Sequence, residues 1–491
     1  MDISSSRLVF RLLNCTFAGE MMILTVLLYF LLLFGVSRWT SRQATNDTFF
    51  RAERRSPWYM VAFGMVGASI SGVTFVSVPG MVTGIDMTYL QTCLGFILGY
   101  FAVAFLLLPV YYRMNLTSIY TYLGQRLGPR AYLTGAWFFL ISKMSGAAVA
   151  FYVVCMLLQR FVFDGVGVPF VVTVVGMVML IWLYTRRGGI KTLVWTDTLQ
   201  TFCLLAALLL IIYKVVNELH MTPVEAAAAV ADSPMSRIFV WDDWVSKQNF
   251  WKQFLSGIFI VVVMTGLDQD KMQKNLTCKT LREAQKDMTT YGFAFVPVNL
   301  LFLALGVLLV MLAGQRGVSL PSSADELLPM FAATGQLGNG IVVLFTLGIV
   351  AASFSSADSA ITSMTTSFCV DICKRTDDER LRKRVHLLMS VVFAVFILLF
   401  RLLNSTSVID AIYVLVSYTY GPLLGLFAFG LLTRRNPRDR FVPYIAIASP
   451  LICLVIDYGA KAVGYSFGYE LLMLNGFLTF SMLWLSSWRK S

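Results

Sequence analysis

The sequence predicts an all-α polytopic membrane protein, and three observations carry that prediction. The chain of 491 residues is 57% apolar and 13% charged, against roughly 45–50% and 25% in soluble domains. Runs of about 20 apolar residues, the length of a membrane-crossing helix, recur along its whole length. Lysine and arginine gather in alternate connections. Apolar runs in lipid must satisfy their peptide groups internally, which a helix does.

Thirteen spans are predicted, at 17–36, 57–82, 87–112, 131–158, 167–185, 192–214, 250–270, 287–313, 338–372, 385–402, 407–432, 441–459 and 467–488. Some exceed the roughly 20 residues needed, so tilt or interruption is expected. One set of alternate connections holds 28 of the 39 Lys and Arg residues. They include Arg38 to Arg55, Lys271 to Lys286 and the run from Lys374 to Arg384. The basic side is cytoplasmic by the positive-inside rule. That places the N-terminus outside and the C-terminus inside, in a plasma (inner) membrane. The net charge of +12 thus reads as topology, not as a nucleic-acid surface. No polar connection is long enough for a further domain.

The eight cysteines have no paired metal spacing and fall mostly in apolar segments, as small core residues do. His220 and His386 are expected in loops, which argues against a His-based metal site. No cleavable signal is evident, and Met21 and Met22 are alternative starts to Met1.

Polar interruptions mark particular spans. The second, "GMVGASISGVTFVSVPG", is broken by Gly67, Gly72 and Gly80. The seventh is broken at Thr265-Gly266, and Asp268, Gln269 and Asp270 follow. Paired interruptions in corresponding places point to a transporter site. The two breaks lie five spans apart, an odd offset, so spans two to six and seven to eleven read as an inverted repeat. Two ordinary kinks are the alternative.

The ninth span carries "AASFSSADSAITS". Ala352, Ser355, Ser356, Ser359 and Ser363 share one helix face. Neutral hydroxyls there, with carbonyls freed by a broken neighbour, suit a hard monovalent cation such as Na⁺. A small-residue packing face is the alternative. Asp197 and Asp358 are ionisable residues at membrane depth, where a charge costs at least about 2.5 kcal/mol. Lys143 is a possible counter-ion, the lone basic residue at depth, pairing with one of these aspartates or neutralising an anionic solute. Pro422 bends the eleventh span beside Tyr418, Thr419 and Tyr420, as a hinge or as a static kink.

Four segments in order, "RAERRSPWYMVAFGMVGASISGVTFVSVPG", "GGIKTLVWTDTLQ", "TGLDQDKMQKNLTCKTLREAQKDM" and "SSADSAITSMTTSFCVDI", resemble the signature segments of the sodium/solute symporters. The resemblance covers nearly the whole chain. It implies the LeuT-type 5+5 inverted-repeat fold with one preceding helix. The expected division is a leading helix (17–36), a first repeat (57–214), a second repeat (250–432) and two C-terminal helices (441–488).

The resemblance also implies Na⁺-coupled symport of a small polar solute by alternating access, without enzyme activity, and no obligatory protein partner is evident in the sequence. It assigns one Na⁺ to carbonyls of Gly67, Ile70 and Ala352 and hydroxyls of Ser355 and Ser356. A second Na⁺, or a proton, falls to Asp197, Asp358, Ser355 and Ser359. It lines the solute cavity with Ser69, Ser71, Thr74, Gln91, Val261, Met264, Thr265 and Tyr418. Val261 and Met264 stand where the sugar members place an asparagine and an aromatic gate. Gly146 stands where the sialic acid members place a carboxylate-binding arginine. Neither substrate is therefore assigned. A proton-coupled transporter on the same fold, a solute sensor and an intramembrane enzyme are the rival readings. The last lacks a Gly-x-Gly-Asp or His-Glu-x-x-His context.

Overall fold

Peptide groups without water partners close into helices, and the computed structural model of the chain is helical almost throughout. It describes residues 23–42, 44–164, 167–403 and 415–488. The start candidates Met1, Met21 and Met22 lie outside the described residues. So do positions 17–22 of the leading span and 407–414 of the eleventh.

The leading span is α1 (Ile23–Thr40). The second predicted span is two helices, α2 (Trp58–Ser69) and α3 (Gly72–Ile85), bent by 61°. Next come α4 (Tyr89–Arg113), α5 (Pro129–Leu158), α6 (Phe170–Thr185) and α7 (Ile190–Glu218). The seventh span is again divided: α8 (Phe250–Gly266) meets α9 (Gln269–Asn275) at 69°. The chain continues through α10 (Leu281–Arg316), α11 (Asn339–Ile372) and α12 (Glu379–Leu403). It ends with α13 (Gly421–Leu432), α14 (Val442–Ala462) and α15 (Leu471–Leu485).

Among the described residues, eight helices are long and apolar enough to cross a membrane, or ten with each bent pair as one span. Helices α6, α13 and α15 are shorter than the roughly 20 residues of an unaided crossing. Length and composition alone thus identify eight to ten spans among the described residues, the three shorter apolar helices fall in three further predicted spans, and the count of thirteen is not confirmed.

Helix α11 is the most buried of the eight long apolar helices and packs on α5 and α7, while α2 packs on α7. Phe354 of α11 sits edge-on between Phe30 and Phe151, at 4.9 and 5.3 Å. Helices α4 and α8 cross where a Cβ on Gly95 would lie 2.1 Å from the Phe254 carbonyl, and one on Gly257 2.3 Å from that of Thr92. Only glycine permits that backbone contact. The outer helices α1, α12 and α14 turn Leu28, Leu31, Val391, Val395, Leu451 and Val455 outward, as lipid-facing surfaces do.

Between α7 and α8, a short helix (Pro223–Ala231) opens on a capping box of Thr222 and Glu225. The Thr222 amide holds the Glu225 carboxyl below its usual range. Two-residue strands pair antiparallel near the C-terminal end, Asn436 opposite Trp488.

One local expectation changes. His386 is not in a loop: it is fully buried in α12, between the Thr185 and Thr365 hydroxyls at 2.9 and 3.0 Å. The basic first turns of α12 carry the helix further N-terminally than its apolar run. Pro422 lies in the first turn of α13, directly after an interruption at Tyr420 that follows a helical turn at 415–419, and at that position its missing amide breaks no bond within α13.

Candidate ion and solute site

The first break starts where small polar residues compete with the helix for backbone groups. Helix α2 ends at Ser69, Ile70 leaves helical geometry (φ −86°, ψ 86°), and Ser71 caps α3, accepting from the Thr74 amide at 3.4 Å. A Cβ on Gly67 would lie 2.0 Å from Thr201 Oγ1, so glycine lets α2 close on α7.

The C-terminal end of α2 faces the serine stripe of α11. Ser356 Oγ lies 3.3 Å from the carbonyl of Ala68 and 3.3 Å from that of Ala352. The carbonyl seen in contact is therefore Ala68, between the expected Gly67 and Ile70. Ser355 turns aside and donates to Asp197 Oδ1 at 2.7 Å. Carbonyl and hydroxyl oxygens from a broken and an intact helix are the donor set that suits a hard monovalent cation.

Beside it lies a buried ionic cluster. Asp197 Oδ2 pairs with Lys274 Nζ at 2.7 Å, and both side chains are at most 2% exposed. Asp358, one turn beyond Ser355, accepts from Tyr184 at 2.5 Å and from Ser359 at 3.2 Å. Lys143 pairs with neither of these aspartates. Its ammonium lies 3.0 Å from Asp268 and 2.6 Å from Asp270. The expected pairing is corrected because α9 supplies nearer carboxylates.

The second break is held differently. Tyr111 donates to the carbonyl of Gly266 and Tyr120 to that of Leu267, each at 2.9 Å. Asp268 caps α9 and also accepts from Tyr420 at 3.0 Å. Helix α9, "QDKMQKN", is polar yet wholly buried. Lys271 and Lys274, counted above with a cytoplasmic connection, are therefore inside the protein. Four charges in the seven residues from Asp268 to Lys274, directly after a break in an apolar run, were the available signal.

A cavity of about 200 Å³ lies between the breaks, lined by Ser69, Ser71, Thr74, Val261, Met264 and Thr265 of the expected set. Lys143, Gly146, Lys271, Ser356 and Tyr420 also reach it. Ser69 bonds Tyr291 across it. Two expected residues are elsewhere. Gln91 is buried against a connection, accepting from the Val240 amide and donating to Gln248. Tyr418 turns to Asp457 of α14 at 3.3 Å. Tyr420, two positions on, takes the cavity side.

Comparison with known proteins gives consistent results. The model of the Sodium:solute symporter family matches residues 49–439. The chain is 26% identical to the sodium/sialic acid symporter SiaT of Proteus mirabilis, over 89% of each chain. It is also 26% identical to the sodium/sialic acid symporter NanT of Aliivibrio fischeri, over 80% of this chain and 79% of that one. Its fold is that of a Na⁺-coupled sialic acid symporter solved substrate-bound and outward-open. The TM-score is 0.81 and the identity 21%, covering 95% of this chain and 97% of that one. A nucleobase-cation-symport-1 family transporter in a closed conformation superposes at a TM-score of 0.55 with 15% identity, over 88% and 92%.

Proposed function

Because this chain belongs to the sodium:solute symporter family, a family of membrane transporters, we propose that it carries a small polar organic solute into the cell with Na⁺ by alternating access. The observation that carries this reading is the meeting of Ser356 with the Ala68 and Ala352 carbonyls at the first break. In the proposal, Na⁺ is held by oxygens of Gly67, Ala68, Ile70, Ala352, Ser355 and Ser356. The repeats are 57–214 and 250–432, and the solute lies between them. Asp197, Asp358 and Ser359 are the place for a second Na⁺ or a proton, where Lys274 already neutralises Asp197. The membrane is the plasma membrane, with the N-terminus outside.

Na⁺ entering from outside ties α2 to α11 and favours the solute-competent state. Coupling requires that the ion bind the two states unequally. One charge crossing about 100 mV supplies roughly 2.3 kcal/mol, or about 50-fold accumulation. The cavity is smaller than the roughly 300–1,000 Å³ of ordinary ligand pockets, which supports a small solute.

Uptake into proteoliposomes tests this, with a panel of labelled sugars, amino acids and organic acids, with and without a Na⁺ gradient. Sodium-driven accumulation of one solute, with the Na⁺ half-saturation raised at least 10-fold by Ser356→Ala, is the expected result. Accumulation that follows a proton gradient and ignores Na⁺ overturns it.

A further inference from the structure

We propose that Lys271 is a tethered cation that competes with Na⁺ at the first break, so that each Na⁺ binding event displaces its ammonium into the solute cavity. This rests on the Na⁺ site proposed above.

Three observations converge. Lys271 reaches from α9 to the end of α2, and its Nζ donates to the Ala68 carbonyl at 2.7 Å. The Ser356 hydroxyl, a ligand in the proposed site, addresses that same carbonyl. An ammonium thus holds an oxygen at the edge of the site, as a bound monovalent cation would.

Second, among the described residues the lysine's one ion pair is long and its carboxylate is shared. Asp270 Oδ2 is 3.9 Å away and is already 2.6 Å from Lys143. Lys274, three residues on, sits 2.7 Å from Asp197 by contrast. The nearest partner of the Lys271 ammonium is thus the Ala68 carbonyl, an oxygen that Na⁺ can equally claim.

Third, Lys271 and Ser356 both line the cavity, so the flexible four-carbon stem has space into which to withdraw. Two like charges sharing one carbonyl repel each other at short range, so Na⁺ and the ammonium exclude one another there. The displaced ammonium faces the solute position, and sodium arrival changes the charge that the solute meets.

The test is a Na⁺ titration of the purified full-length protein in detergent, read by the unfolding temperature and by binding of radioactive Na⁺. Wild type, Lys271→Met, Lys271→Arg and Ser356→Ala are compared. The expected midpoint falls at least five-fold in Lys271→Met and does not fall in Lys271→Arg. An unchanged or raised midpoint in Lys271→Met, with Ser356→Ala raising it, overturns the competition while leaving the Na⁺ site intact. No change in Ser356→Ala overturns the site itself and the competition with it.

A measurement on wild type covers the case in which Lys271→Met does not fold. Reductive methylation with formaldehyde, mapped by mass spectrometry, should modify Lys271 several-fold faster in Na⁺ than in choline. Equal rates overturn the proposal.

Discussion

The two helix breaks solve one problem in opposite ways. Both expose carbonyls at membrane depth, where each needs a donor. At the second break, the Gly266 and Leu267 carbonyls are held by the hydroxyls of Tyr111 and Tyr120, which are neutral and fully buried. At the first, the Ala68 carbonyl is held by a serine hydroxyl and a lysine ammonium, both at the edge of a cavity. One break is closed by rigid aromatic residues. The other is closed by groups that a cation can replace. A matching bend in two places therefore does not mean a matching role, and the donors distinguish them.

The sharpest way to break this contrast is to loosen α9, which joins the two regions. Lys274→Met leaves the buried Asp197 carboxylate without its counter-ion, and losing one partner of a buried pair costs about 3–5 kcal/mol. Chemical or thermal unfolding in detergent should show that loss, and adding Asp197→Asn should recover much of it. A single variant as stable as wild type would mean that α9 is not anchored through this pair, and the contrast would lose its common frame.

Gly67→Ala strikes the first break alone. The new methyl would meet Thr201 Oγ1 at 2.0 Å and its Cα at 2.9 Å. Backbone cannot yield as a side-chain tip can, and overpacking of this kind costs about 1–3 kcal/mol. Because α2 would be pushed from α7, the Na⁺ midpoint should rise several-fold together with the stability loss. A destabilised protein with an unchanged midpoint would separate the packing of the break from the ion site.

The sequence made the breaks themselves legible. Glycines and serines in "GASISG", and "TG" before "LDQD", interrupt apolar runs that would otherwise continue as helix. The serine stripe was legible too, because 3.6-residue periodicity places Ala352, Ser355 and Ser356 on one face. Partner choice was not. Lys143 and Asp268 are 125 positions apart, and nothing local says that they meet. Lys271 and Lys274 read as a basic connection because charged residues normally mark water. Here a buried helix holds them by pairing across elements. Tyr418 and Tyr420 show a finer limit. They sit two positions apart at a helix interruption, and only the interruption's geometry decides which faces the cavity.

The smallest predicted effect sharpens the contrast most. Tyr120→Phe removes the donor to the Leu267 carbonyl without changing the ring that packs against Phe139 at 5.4 Å. A lost neutral hydrogen bond costs about 1 kcal/mol, which unfolding in detergent can resolve. The Na⁺ midpoint should stay at the wild-type value, since the second break offers the ion nothing. Ser356→Ala removes a single hydroxyl as well, yet should move the midpoint at least 10-fold. Two deletions of one oxygen each, one at each break, then differ only in what that oxygen addresses. If Tyr120→Phe shifts the midpoint as far as Ser356→Ala, the breaks act as one unit through α9, and the division into a fixed and an exchangeable break fails.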